Sequence, residues 1–279
     1  MKTIRHARYL PRLADPDANL AQTLRVLHER RRLLALLGGA GLCAVLPRSP
    51  LACTLIPQET EGPYPGDGTN GPNALAASGI VRPDIRSSVG IASPATAAGT
   101  PLTVALQFLS TPDGCGAIQG LAVYAWHCDA EGRYSMYSQG VTGQNYLRGV
   151  QVTDAAGRVS FTTVFPGCYP GRWPHIHFEV FASLADATSG HNAGRISQLA
   201  LPQAACAQVY AQSALYPGSA ANLGRITLES DGVFGDDGGV HQLAATSGSV
   251  ADGYAAFLEV GLAVGATASD LVFADGFEE

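Results

Sequence analysis

The chain has 279 residues, 46% of them hydrophobic and only 14% charged, with a formal net charge of -6. That is length for one large domain or two small ones and enough apolar content for a packed core, which excludes disorder by composition. No basic block follows the first fifty residues, so nucleic acid is excluded as a partner.

The N-terminal stretch is basic. Arg30-Arg31-Arg32-Leu33-Leu34 opens an apolar run over residues 33–46, 14 residues long. That is too short to span a bilayer, and with its arginine flank it reads as the apolar region of an export signal. The paired arginines resemble a twin-arginine signal, which carries folded proteins. The expectation is therefore a signal over residues 1–52, export to a periplasmic or extracellular destination, and no stable membrane span. Cleavage is expected near Ala52. Pro50-Leu51-Ala52-Cys53 also faintly resembles a lipoprotein box. Of six cysteines, Cys43 is lost with the signal, so at least one of the others is unpaired within a monomer. No CxxC pair exists, which argues against a zinc ribbon; some disulfides are expected after export.

From residue 53 to 265 the pattern predicts one all-β domain, an antiparallel β-sandwich with long loops and little helix. Residues 60–100 are rich in Gly, Pro, Asn and Ser and read as a long ordered loop. Leu102, Val104, Leu106 and Phe108 alternate as in a half-buried strand. Leu121, Val123 and Ala125 alternate with Ala122, Tyr124 and Trp126. Val159, Phe161, Thr163 and Phe165 form a third run, and Ile176, Phe178 and Val180 a fourth. Asp129-Ala130-Glu131-Gly132 and Asp154-Ala155-Ala156-Gly157 are turns between them. A short helix is expected within residues 204–214. Residues 266–279 read as a tail.

The chemistry concentrates in Pro166-Gly167-Cys168-Tyr169-Pro170-Gly171-Arg172-Trp173-Pro174-His175-Ile176-His177-Phe178. On a strand, residues two apart share a face and lie about 6–7 Å apart, so His175 and His177 can bind one metal ion. Glu179 shares that face, either beside the metal ligands or as a solvated carboxylate. Tyr169 stands upstream on a turn, and Tyr134 follows the turn ending at Gly132, at an expected strand end. Tyr137 and Tyr146 are rival tyrosines; Tyr137 would face the other side of a regular strand. His127 is expected to be structural, and Cys168 to be a disulfide or buried thiol. No HExxH and no nearby Asp completes the sets typical of zinc hydrolases or ferrous oxygenases. Two phenolates with two neutral imidazoles suit a hard, highly charged ion, since ferric iron with two phenolates and a hydroxide is neutral overall.

The segment resembles the intradiol ring-cleavage dioxygenases, the family holding catechol 1,2-dioxygenase, protocatechuate 3,4-dioxygenase and hydroxyquinol 1,2-dioxygenase. The family pattern is a Pro-Gly-x-Tyr turn, then an Arg three residues before His-x-His. Tyr169, Arg172, His175 and His177 fit it, with a shorter gap between Tyr169 and Arg172 than in the cytoplasmic members. Gly132-Arg133-Tyr134 matches the first tyrosine, Gln198 is the best match for a downstream glutamine, and Thr60-Glu61-Gly62-Pro63-Tyr64 matches a pocket-lining element. Trp126-His127-Cys128-Asp129-Ala130 looks like the exported, monodomain branch.

The resemblance implies one Fe(III) per chain held by Tyr134, Tyr169, His175 and His177, with Tyr169 and His177 axial. It implies catalytic roles for Tyr169, Arg172 and Gln198, and Pro63 and Tyr64 lining the substrate. The partners implied are a catechol-type diol and O2, and a homo-oligomer is left open. Two other readings stand beside it: a secreted non-enzymatic binding module, and a zinc-dependent hydrolase built on the His-x-His pair.

Overall fold

A computed structural model of the protein describes residues 53–264. The export segment expected over residues 1–52 and the tail expected over 266–279 lie outside these residues. Chain order is β1 (Pro101–Ser110), β2 (Gly116–Ala117), β3 (Ala122–Trp126), β4 (Arg148–Val152), β5 (Arg158–Val164), β6 (His175–Phe181), β7 (Arg195–Ala200), α1 (Gln203–Tyr210), α2 (Ser219–Leu223), β8 (Ala245–Ser249) and β9 (Gly253–Leu262). Two sheets form. One runs β2-β1-β9-β8 with β5 also on β1, and the other β4-β3-β6-β7.

The strand pairs are antiparallel with one exception: β1 and β9 run parallel, with Leu102 opposite Tyr254. The expected all-β sandwich of antiparallel strands is found, with this one parallel pair added. A parallel partner so distant in the chain leaves no local sequence signal, because both strands keep the same period-two pattern.

The core lies between the sheets. Leu102, Val104, Leu106 and Phe108 of β1 meet Ile176, Phe178 and Val180 of β6 in one buried cluster, and the Phe108 and Phe178 rings contact edge to face at 6.3 Å. The outer face of the second sheet is covered as well. Ala74, Leu75 and Ile80 of the long N-terminal segment pack there with Tyr124, Trp126, Tyr134 and Phe181. Every residue of β6 is therefore buried, the histidine face included.

Arg148 fastens this cover. Its guanidinium donates to Tyr64 O at 2.9 Å, Ser135 O at 3.0 Å and the carbonyl of Pro65, and its Nε to Ser135 Oγ at 3.0 Å. One buried side chain thus ties the segment carrying Tyr64 to the loop carrying Tyr134.

Cys53 and Cys115 form a disulfide spanning 62 residues, and Cys128, Cys168 and Cys206 are buried free thiols. The bond anchors the start of the described chain to the turn between β1 and β2. Cys115→Ser is expected to cost about 2–4 kcal/mol by freeing that loop in the unfolded state. Urea titration checks this, and an unchanged midpoint would contradict it. No helix of the described residues is long and apolar enough to cross a membrane.

Candidate metal centre

β6 presents His175 and His177 on the covered face, two residues apart as the strand repeat requires. Two loops bring tyrosines to them. Tyr134 lies in the connection between β3 and β4, not at a strand end as the sequence suggested. The expected face argument against Tyr137 therefore does not apply; Tyr137 is excluded instead by its contacts, Gly66 N at 2.8 Å and Asn70 Oδ1 at 2.6 Å. Tyr146 is engaged by Asp129 at 2.9 Å. Tyr169 comes from the turn before β6. The αL conformation of Gly132 (φ 81°) shapes the first loop, and a Cβ there would meet Tyr169 Cβ at 3.1 Å, so the two tyrosine loops pack closely.

The four donor atoms converge. Tyr134 Oη lies 3.3 Å from Tyr169 Oη, 3.4 Å from His175 Nε2 and 3.3 Å from His177 Nε2. Tyr169 Oη is 3.2 Å from His175 Nε2, and the two imidazole Nε2 atoms are 3.1 Å apart. Tyr169 and His177 are the remaining pair, without such a contact. Tyr134, His175 and His177 are buried, whereas Tyr169 is half-buried.

Such a cluster is poorly satisfied by protons alone. Tyr134 Oη carries one hydrogen against three neighbours. Two ligand atoms each about 2 Å from a common ion stand about 3 Å apart, which is the spacing found. The four residues therefore fit one transition-metal ion. Among the described residues no group of three or more His, Cys, Asp and Glu side chains gathers as a metal site, so the zinc hydrolase reading finds no third ligand of its usual kind.

The surroundings set the tautomer of His175 and the charges of the group. His175 Nδ1 bonds the carbonyl of Trp173, which turns the lone pair of Nε2 to the cluster. The His177 ring stacks on Trp126 at 4.8 Å with an interplanar angle of 7°. With no cation bound, burial holds the Tyr134 phenol well above its ordinary value and pushes Tyr169 up to about 12. Burial, then Arg172, lowers His175 to about 3, and burial, then His175, holds His177 well below the usual range. The protein thus offers neutral imidazoles to a cation, and the phenols ionise only when one arrives.

His127 is structural: it is buried, bonded to Thr163 Oγ1 at 2.7 Å and Cys128 O at 2.8 Å, and lowered to about 4 by burial. Three histidines are therefore held neutral by folding. An unfolded histidine titrates near 6.5, so below that pH the unfolded chain takes up protons that the folded chain refuses. Stability is present above about pH 6.5 and is lost as pH falls toward 4, by up to about 1.4 kcal/mol per pH unit for each histidine. The urea midpoint of the metal-free protein is expected to fall steeply between pH 7 and 5; a flat profile would contradict this.

Arg172 lies against the cluster. Its NH1 is 3.4 Å from His175 Nε2, its NH2 donates to Gln198 Oε1 at 2.6 Å, and its Nε to Asp231 Oδ2 at 2.9 Å. Gln198 faces His177 across the β6–β7 ladder and donates from Nε2 to Thr60 O at 3.0 Å. Asp231 is buried and also accepts from the backbone N–H groups of Trp173 at 2.6 Å and Val233 at 2.8 Å. Sequence reasoning missed Asp231. It lies in a loop 59 residues from Arg172 with no motif around it. Tyr64 walls the cluster, its ring 5.1 Å from that of Tyr134, while Pro63 is exposed and accepts from Asn70 Nδ2 at 3.0 Å.

Glu179 is not solvated. It is fully buried, and burial, then Asp67, holds it well above the usual carboxylate range. Cys168 is a buried thiol, pushed up to about 12 by burial.

A family model described as Dioxygenase matches residues 88–189, a span that contains all four donors but ends before Gln198 and Asp231. No curated protein matches the chain. Among solved structures, an intradiol ring-cleavage dioxygenase from Tetranychus urticae is 26% identical with a TM-score of 0.55, covering 75% of this chain and 94% of that one. A second crystal structure, described as that of a dioxygenase, is also 26% identical with a TM-score of 0.58 and the same 75% and 94% coverage.

Proposed function

We propose that this chain, which matches the Dioxygenase family model over residues 88–189 and is 26% identical to an intradiol ring-cleavage dioxygenase, opens catechol-type diols with O2, breaking the carbon–carbon bond between the two hydroxylated carbons. Both oxygen atoms enter the product, a muconate-type diacid. The observation that carries this reading is the convergence of two phenols and two imidazoles within 3.1–3.4 Å.

One Fe(III) would be held by Tyr134, Tyr169, His175 and His177, and when bound it supplies Lewis acidity that activates a chelated diol toward O2. The residues divide the remaining work. Tyr169, the half-buried donor, accepts a proton at its phenolic oxygen as the diol binds. Tyr134, more deeply enclosed, stays in place. Trp173 O fixes the tautomer of His175. Arg172 stabilises negative charge developing on the substrate. Gln198 acts through Arg172, since its carbonyl accepts from the guanidinium and its amide is tied to Thr60. Tyr64 shields one side from water.

We also infer that the chain is exported. The arginine-led apolar run at the N-terminus supports it, as does the Cys53–Cys115 disulfide, which suits an oxidising compartment. That bond occupies the thiol a lipid at Cys53 would need.

The test is oxygen uptake by the iron-loaded protein with catechol. One O2 per diol and a diacid product are expected. No uptake, or a ring-opened aldehyde from cleavage beside the hydroxyls, would contradict the assignment.

A further inference from the structure

The two histidines of the centre are held in place by different means. A histidine ring turns easily about its last side-chain torsion, whose preference is broad, yet a metal ligand has to be fixed within about 10–20° of its working orientation. His175 meets this with a hydrogen bond from Nδ1 to the carbonyl of Trp173. His177 has no such bond. Its Nδ1 is buried and without a hydrogen-bond partner among the described residues. The ring lies instead flat on the indole of Trp126, 4.8 Å away between centroids and within 7° of parallel. Trp126 stands directly across the β3–β6 ladder from His177.

The indole is itself braced. It is fully buried on β3 and stacks in turn on Tyr124, at 5.0 Å and 21°. Tyr124 is tied down, because its hydroxyl donates to Pro65 O at 2.8 Å and accepts from Arg148 at 3.0 Å. His177, Trp126 and Tyr124 thus form one stack that ends on a buried guanidinium. A buried tryptophan ordinarily finds a partner for its N–H, and leaving that bond unmade is costly. Trp126 Nε1 has no partner among the described residues, so this position uses the flat face of the ring and not its polar edge. Gly62 lets the backbone of the covering segment come close to the imidazole: a Cβ there would lie 3.4 Å from His177 Cε1.

We propose that Trp126 is the positioning residue of His177: its ring sets the plane of the imidazole by stacking, as the Trp173 carbonyl sets that of His175 by a hydrogen bond. Trp126 offers the metal no donor atom. It acts through His177, so the inference rests on the four-donor reading above. Each of the chain's two tryptophans then serves one histidine ligand. Stacking fixes the tilt of the ring but leaves Nδ1 without the acceptor that metal-bound histidines usually have. His177 is therefore the ligand whose grip on the ion depends on packing.

The test uses the full chain. Trp126→Leu is expected to bind Fe(III) about 10- to 100-fold more weakly in competition with a chelator, the range for losing a group that orients a metal ligand, and to broaden the high-spin ferric EPR signal. Trp126→Phe, which keeps an aromatic face, is expected to stay within about fivefold of the wild type, below that range. Cys115→Ser, destabilised outside β3 and β6, is expected to keep wild-type affinity and a sharp signal. Leucine and phenylalanine variants that bind iron equally, or an affinity that only tracks melting temperature across the four proteins, would overturn the role of Trp126 while leaving the four donors intact. Should Trp126→Leu not fold, Trp126→Met takes its place, a flexible side chain that fills space without a flat face. The metal-free wild type gives an independent reading by proton NMR. The His177 ring protons, identified by their loss in His177→Gln, are expected upfield of their unfolded-chain positions because they lie over the indole; unshifted protons would mean that the stack does not form. A wild type that takes up no iron would instead sink the dioxygenase reading, and the positioning role with it.

Discussion

Tyr134→Phe is expected to leave a folded protein whose iron affinity has dropped at least about 100-fold, beyond what losing a mere supporting hydrogen bond costs. The substitution removes one oxygen and no carbon. That oxygen touches the other three donors, at 3.3, 3.4 and 3.3 Å, so its loss opens one corner of the cluster while the ring stays packed beside Tyr64. Ring cleavage should fall with the iron. Metal analysis after dialysis reads the result directly, and unchanged iron content would remove Tyr134 from the ligand set. Tyr169→Phe serves as its companion. It should bleach much of the visible colour, because a phenolate-to-iron transition is lost.

Arg172→Ala is expected to behave differently: iron stays and turnover falls about 10²- to 10³-fold, the usual loss when a preorganised donor to a developing negative charge is removed. None of the four donors is altered. Arg172→Lys should recover little. A lysine cannot reach Asp231 and Gln198 together, as the guanidinium fork does at 2.9 and 2.6 Å. Asp231→Asn should act in the same direction but more weakly, because it loosens the aim of the guanidinium without removing it. Steady-state oxygen uptake by iron-replete variants measures all three. Full activity in Arg172→Ala would mean that the charge is stabilised elsewhere.

These outcomes depend on features of unequal visibility in the sequence. The period-two strands were legible because one face of each meets the core between the sheets, and the His-x-His spacing was legible because a strand repeats every two residues. The pairing of the two tyrosines with those histidines came from the family resemblance, since Tyr134 lies 41 residues before His175 and nothing local connects them. The parallel β1–β9 pairing, the burial of Glu179 and the Asp231 anchor were not legible. Each arises from contacts between distant segments: a final strand returning to the first, a long loop covering the outer face of β6, and a loop after β7 reaching back to Arg172. A strand carboxylate reads as solvated until the loop that covers it is known.

The central claim is that two phenols and two imidazoles surround one ferric ion, and loading the purified protein with Fe(III) tests it most directly. One iron per chain is expected, with a broad visible absorption that turns the solution wine-red and shifts when catechol is added without oxygen. A protein that stays colourless, or that binds iron without any phenolate absorption, would show that Tyr134 and Tyr169 are not ligands.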